Sequence, residues 1–266
     1  MNRVTIGQYY PGNSIVHRLD ARVKLIGLFS HIALLLIVDN FIAFGLAAVY
    51  VVLLVAVSKV PLRLLLRGLR AVLFVLLFAV SINMFMYPGD NVLAQFWVLS
   101  LTTEGILMAA RMAMRLVLLV LGASILTLAT SPLHLTDGIE ALLKPLKLLR
   151  LPAHEIAMMM TLALRFIPTL ADEMEKIIRA QKARGADFDT GGPIKRARGM
   201  LPILVPLFVS AFKRADELAT AMEARCYRGD IATRTRLNPI KMTTTDIVAV
   251  VVMVLVVAFI LFVGLC

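Results

Sequence analysis

Two arginines, Arg184 and Arg225, hold the positions where this sequence offers chemistry. Each closes a phrase that occurs twice: Glu175-Lys-Ile177-Ile-Arg-Ala180-Gln-Lys-Ala183-Arg184-Gly185 returns 41 positions later as Asp216-Glu-Leu218-Ala-Thr-Ala221-Met-Glu-Ala224-Arg225-Cys226. Both copies read as the end of a helix. The chemistry open to a guanidinium at such a place is recognition, because its planar fork makes two parallel hydrogen bonds to a carboxylate. Alanines at 180, 183, 221 and 224 keep each helix narrow on the approach to its arginine, so the end fits a partner's groove. One such arginine reads as a solvated charge favoured by the helix dipole; two with matched neighbours read as a paired device. Ala197-Arg198-Gly199 lacks the preceding acidic and apolar positions and reads as a basic loop.

Other charged residues sit in apolar surroundings. Arg165 lies between Leu164 and Phe166, just before Pro168. It either snorkels to headgroups or forms a structural ion pair with Glu155 or Asp137. Arg111 and Arg115, one helical turn apart in an apolar segment, read as headgroup contacts of a short, tilted helix, although charge inside a membrane by default suggests function. Met158-Met159-Met160 suits a surface that repacks against different partners. His17, His31, His134 and His154 are scattered and take packing or interfacial roles. Cys226 and Cys266 read as reduced. The sequence carries no Gly-x-x-x-x-Gly-Lys-Ser/Thr loop, His-Glu-x-x-His, Cys-x-x-Cys or Gly-x-Ser-x-Gly. That removes the commonest routes to nucleotide binding and to metal or serine catalysis.

The elements that must position these residues follow from composition. The chain is 60% hydrophobic with a net charge of +11, which excludes an ordinary soluble enzyme and places it in the membrane class. Uncharged runs at Leu25–Val38 and Phe41–Val57 are short for a span of roughly 20 residues and form a tilted or partly re-entrant hairpin. Further spans run over Ala71–Met86, Gly105–Leu133 and Ile247–Cys266. The start of the chain shows no cleavable leader pattern. Of the 28 Lys and Arg, eighteen fall in residues 131 to 243, and the Tyr87–Glu104 linker, with Trp97, has none. The positive-inside rule then puts the N-terminus and residues 131 to 243 in the cytosol, with five spans in all. Within that block, two helices of about 30 residues carry apolar positions at i, i+3, i+4 spacing, preceded by a shorter helix opened by Ser131-Pro132. The expected architecture is an all-α membrane protein. Residues 1–130 form a four-span bundle, 131–243 an interfacial platform of long amphipathic helices, and 244–266 a final span.

Four stretches resemble a known family: Ser131-Pro-Leu-His-Leu-Thr-Asp-Gly-Ile-Glu140, Ala163-Leu-Arg-Phe-Ile-Pro-Thr-Leu170, Ala180-Gln-Lys-Ala-Arg-Gly-Ala-Asp-Phe188 and Ala221-Met-Glu-Ala-Arg-Cys-Tyr-Arg-Gly229. Together with His17-Arg-Leu-Asp-Ala-Arg-Val-Lys-Leu25 they are similar to EcfT, the transmembrane T component of energy-coupling factor transporters. The resemblance implies a non-catalytic subunit of an ABC-type importer for vitamins or other micronutrients in the bacterial cytoplasmic membrane. It implies as partners two cytosolic ATPases (EcfA and EcfA′), which hold the ATP and Mg, a substrate-binding S component, and lipid, with no nucleic acid. Carried over residue by residue, Ala183-Arg184-Gly185 and Ala224-Arg225-Cys226 dock the two ATPases; Arg165 and Pro168 are candidates for a structural or coupling role. Cys226 departs from the glycine expected there, which puts the helix cap in question. The rival readings are a self-contained channel or secondary carrier using Arg111 and Arg115 around an anionic solute, and a scaffold on anionic lipid.

Overall fold

A computed structural model of the protein describes residues 9–87, 92–96, 99–143, 153–186, 192–227 and 242–265. The chain divides into two compact units, one of residues 7–143 with 240–266 and one built on residues 144–239.

The first unit is a helical bundle. After the single turn α1 (Ile15–Arg18) come α2 (Ala21–Ile37), α3 (Phe41–Ser58) and α4 (Leu62–Met86). A two-stranded antiparallel hairpin, β1 (Val92–Phe96) and β2 (Leu99–Thr102), leads into α5 (Thr103–Ala129). The helix α6 (Pro132–Leu143) lies against α2. Among the described residues four helices, α3, α4, α5 and α9 (Thr244–Leu265), are long and apolar enough to cross a membrane. At 17 residues α2 is shorter, about 26 Å at 1.5 Å per residue. The sequence breaks explain the boundaries. Asn40 caps α3 by accepting from the Ile42 amide at 3.1 Å. Thr102 caps α5 through the Gly105 amide at 3.0 Å, and the Ser131 hydroxyl accepts from the His134 amide at 3.4 Å at the start of α6. Where a linker is expected over 87–104, β1 and β2 pair instead, and Trp97 lies outside the described residues.

Phe44 and Ala43 are fully buried and Ala47 and Val51 nearly so, one stripe of α3. That stripe meets Leu34 and Leu35 of α2, Leu118, Ile125 and Leu128 of α5, and Ile260 of α9. The outward faces are equally apolar. In α4 only Leu65 is buried, and Phe74 is 80% exposed. Such a surface is stable where the solvent is hydrocarbon and not water.

A polar layer fastens one end of this bundle. Asp20 caps α2 through the Arg22 amide at 2.9 Å, and its own amide donates to the buried Asp246 carboxylate of α9 at 2.8 Å. Thr243 donates to the other Asp246 oxygen with its amide and its hydroxyl. The Lys24 ammonium donates to the carbonyls of His17 and Ala129, each at 3.1 Å, closing the C-terminal ends of α1 and α5.

The second unit holds α7 (Ala153–Ala183) and α8 (Pro193–Ala224), 31 and 32 residues long, the two helices of about 30 expected from periodicity. Pro168 stands inside α7, and Pro202 and Pro206 inside α8.

Candidate functional site

The two Ala-Arg phrases end α7 and α8 with the same backbone geometry. At the end of α7 the Gly185 amide donates to the Lys182 carbonyl at 3.0 Å and the Ala186 amide to the Gln181 carbonyl at 3.0 Å. At the end of α8 the Cys226 amide donates to Glu223 at 2.8 Å and the Tyr227 amide to Met222 at 3.0 Å. Both are Schellman closures: the residue after the arginine turns left-handed, and two otherwise orphaned carbonyls are satisfied. Gly185 has φ +87° and Cys226 φ +59°. The Gly-to-Cys departure therefore leaves the cap intact, at a strain of about 1 kcal/mol for a side chain in the left-handed region. In both turns the arginine is the last residue before the reversal.

Ala183, Arg184, Gly185, Ala224, Arg225 and Cys226 are all exposed. Among the described residues neither Arg184 nor Arg225 has a side-chain hydrogen bond or ion pair. Among the described residues no carboxylate occupies either guanidinium fork.

The two arginines stand on opposite arms. Near the middle of the helices, Glu173 of α7 accepts from the Ser210 hydroxyl at 2.6 Å and from the Arg214 guanidinium at 3.1 Å. Tyr227, just past the end of α8, donates to the Met158 sulfur near the start of α7 at 3.1 Å. The start of α7 thus meets the end of α8, so the helices run antiparallel where they touch. From Glu173 to Arg184, and from Arg214 to Arg225, the chain advances 11 residues, about 16 Å of helix in each arm at 1.5 Å per residue. Neither arm contains a proline. The Ser210 hydroxyl, and after it the charge and hydrogen bond of Arg214, hold the Glu173 carboxyl below the usual range against a desolvation that raises it. The Glu173 carboxylate is therefore ionised at neutral pH.

The other candidates fall elsewhere. Arg165 is exposed on α7, three residues before Pro168. It makes no ion pair with Glu155, whose Oε2 is buried without a partner. Ala197-Arg198-Gly199 lies inside the first turns of α8 rather than in a loop. That removes it from the helix-end class by position. Arg115 contacts protein as well as whatever surrounds the bundle: it donates to the Val38 carbonyl at 2.9 Å and to Asp39 at 2.7 Å, with its guanidinium 5.6 Å from the Phe44 ring centre. The headgroup reading of Arg115 gives way to an internal one, because the α2–α3 turn presents a carbonyl and a carboxylate at its reach. His31 packs α2 on α5 with its Nε2 3.1 Å from the Leu118 carbonyl, and Gly122 leaves room for its ring.

Sequence reasoning missed Glu173, Ser210 and Arg214. A signal was available, since Glu173 and Arg214 are 41 residues apart, the period of the repeat. It also missed Asp246, the one acid at the head of an apolar final span.

The chain is similar to known proteins over most of its length. The CbiQ family, described as cobalt transport protein, matches residues 12–237. The energy-coupling factor transporter transmembrane protein EcfT of Ruminiclostridium cellulolyticum is 51% identical over 244 residues, covering 92% of this chain and 91% of its own. That of Thermosediminibacter oceani is 48% identical over 249 residues, 94% of this chain and 93% of its own. The Bacillus subtilis EcfT is 42% identical over 263 residues, 98% of both chains. The matched span contains both helix-end arginines, and the chain belongs to the CbiQ family, among its EcfT energy-coupling factor transporter transmembrane proteins.

Proposed function

We propose that this chain is the non-catalytic coupler of an energy-coupling factor importer in the bacterial cytoplasmic membrane, with α7 and α8 on the cytosolic side. Two ATPases, holding ATP and Mg, dock on Arg184 and Arg225, one on each arm. A substrate-binding S component and lipid cover the apolar faces, among them the exposed Leu204, Val205, Phe208 and Phe212 of α8. ATP-driven closure of the ATPase pair displaces the arms, and the displacement reaches the S component through the helices. Coupling of this kind is reciprocal, so loaded S component shifts nucleotide affinity in the ATPases.

The observation that carries this reading is the duplicated helix end: one closure, an exposed arginine in each copy with no partner among the described residues, and two arms of equal length from a common point. A single anchoring protein would need one such end, and a lipid scaffold would need none of the matched geometry. The carrier alternative draws on Arg111 and Arg115, and Arg115 is already engaged by Val38 and Asp39. The test is the double substitution Arg184→Glu with Arg225→Glu. It is expected to abolish co-purification of the ATPases and uptake while the chain still inserts in the membrane. Capture of the ATPases at wild-type yield would overturn the reading.

A further inference from the structure

We infer that Glu173, Ser210 and Arg214 form the pivot of the two arms, positioning residues that keep Arg184 and Arg225 in mechanical register. The inference rests on the docking role proposed for those arginines and assigns a separate set of residues to the transmission of force between them.

The geometry singles out this cluster. Glu173 and Arg214 each stand two residues before a copy of the repeated phrase, equivalent in its 41-residue register, and they touch each other. When two copies of one element cross, equivalent residues can meet only where the axis relating the copies passes between them. The ion pair therefore marks the approximate two-fold point of the crossing. Every other equivalent pair, including Arg184 and Arg225, is displaced from it by equal amounts in opposite directions. Such a point moves least when the arms rotate about each other, and it is where an interaction can persist through the motion.

The chemistry suits that role. Ser210 and Arg214 lie one turn apart on α8 and take the two oxygens of a single carboxylate, so Glu173 is held by both of its lone-pair faces. The side chains are 28% and 36% exposed for Glu173 and Arg214, sheltered enough to resist salt yet open enough to reorient. Hydrophobic contacts alone would let two such helices slide. A charge-assisted bond at the crossing fixes the register while leaving rotation about it free.

The experiment uses the complete transporter in proteoliposomes and compares Glu173→Gln, Arg214→Met and the exchange Glu173→Arg with Arg214→Glu. ATPase capture reads docking, and substrate taken up per ATP hydrolysed reads transmission. The single variants are expected to capture both ATPases as wild type does, because both helix ends are untouched. They should lose uptake per ATP by at least about 5-fold, the low end of ordinary coupling energies. The exchange should recover most of that loss, as a merely volume-filling role would not allow. Singles that transport as wild type, or an exchange as defective as the singles, would overturn the pivot. Failure of the wild-type chain to capture ATPases would instead overturn the docking role on which it rests.

Discussion

Gly185 and Cys226 hold the same left-handed turn at the ends of α7 and α8, with φ +87° and +59°. A Cβ on Gly185 would meet nothing within 4 Å, so the backbone conformation alone separates the two residues energetically. Cys226→Gly should therefore stabilise the end of α8 by about 1 kcal/mol, and Gly185→Ala should weaken the end of α7 by a similar amount. Hydrogen exchange at the closing amides checks this: protection at Tyr227 rises in the first variant, and protection at Ala186 falls in the second. Both variants retain the arginine, so ATPase capture should change far less than in the charge reversals.

Arg115 and Asp39 are joined at 2.7 Å, but they depend on the bond unequally. The Arg115 side chain is 20% exposed and that of Asp39 73%. Removing the carboxylate leaves a solvated site and an arginine still bonded to the Val38 carbonyl. Asp39→Asn should cost less than about 1 kcal/mol, as for exposed pairs. Arg115→Met strips the Val38 carbonyl of its donor and the Phe44 ring of its cation, and should cost about 2 to 3 kcal/mol. Thermal unfolding of the detergent-solubilised complex would resolve that order, and equal shifts would refute it.

The parts of this molecule legible in its sequence were those whose cause is local. Periodicity placed α7 and α8 and their lengths, because an amphipathic face repeats every turn. The paired helix ends were visible because duplication wrote the same closure twice. Contacts that join distant segments left no local trace. Asp246 reaches the Asp20 amide across 226 positions, and the acid alone reads as a cap for α9. Glu173 was hidden among the charges of Asp172-Glu173-Met174-Glu175, where neighbours one turn from a base read as surface pairs. Only the repeat period distinguished it. β1 and β2 leave little trace in the sequence because strands of five and four residues are too short for alternation to stand out.

Gly138 and Gly45 make opposite predictions from the same substitution. A Cβ at Gly138 would stand 2.9 Å from the Ala21 Cβ and 3.2 Å from the Ala21 carbonyl carbon, where α6 meets α2. Backbone cannot yield as a side chain does, so Gly138→Ala should cost about 1 to 3 kcal/mol through overpacking. At Gly45, inside α3, a Cβ meets nothing within 4 Å. Gly45→Ala should stabilise by up to about 1 kcal/mol from helix propensity. Unfolding temperatures that move the same way in both variants would refute this account of the packing.

Lys24 gives the molecule a pH dependence with a definite sign. It lies ahead of the apolar run that begins at Leu25, and burial lowers its pKa from 10.5 to about 8, against opposing attraction from Asp20 and Asp246. Between about 8 and 10.5 the folded chain carries a neutral amine, while the unfolded chain still binds the proton. The unfolded state then holds more protons, so stability rises with pH across that window and is lost again as pH falls through 8. The neutral amine keeps two N–H groups, enough for the carbonyls of His17 and Ala129, so the helix ends stay closed as the charge leaves. Measured from pH 7.5 to 10 in detergent, the melting temperature of the wild type should climb relative to that of Lys24→Met. A constant difference across that range would mean that the ammonium is not confined in the fold.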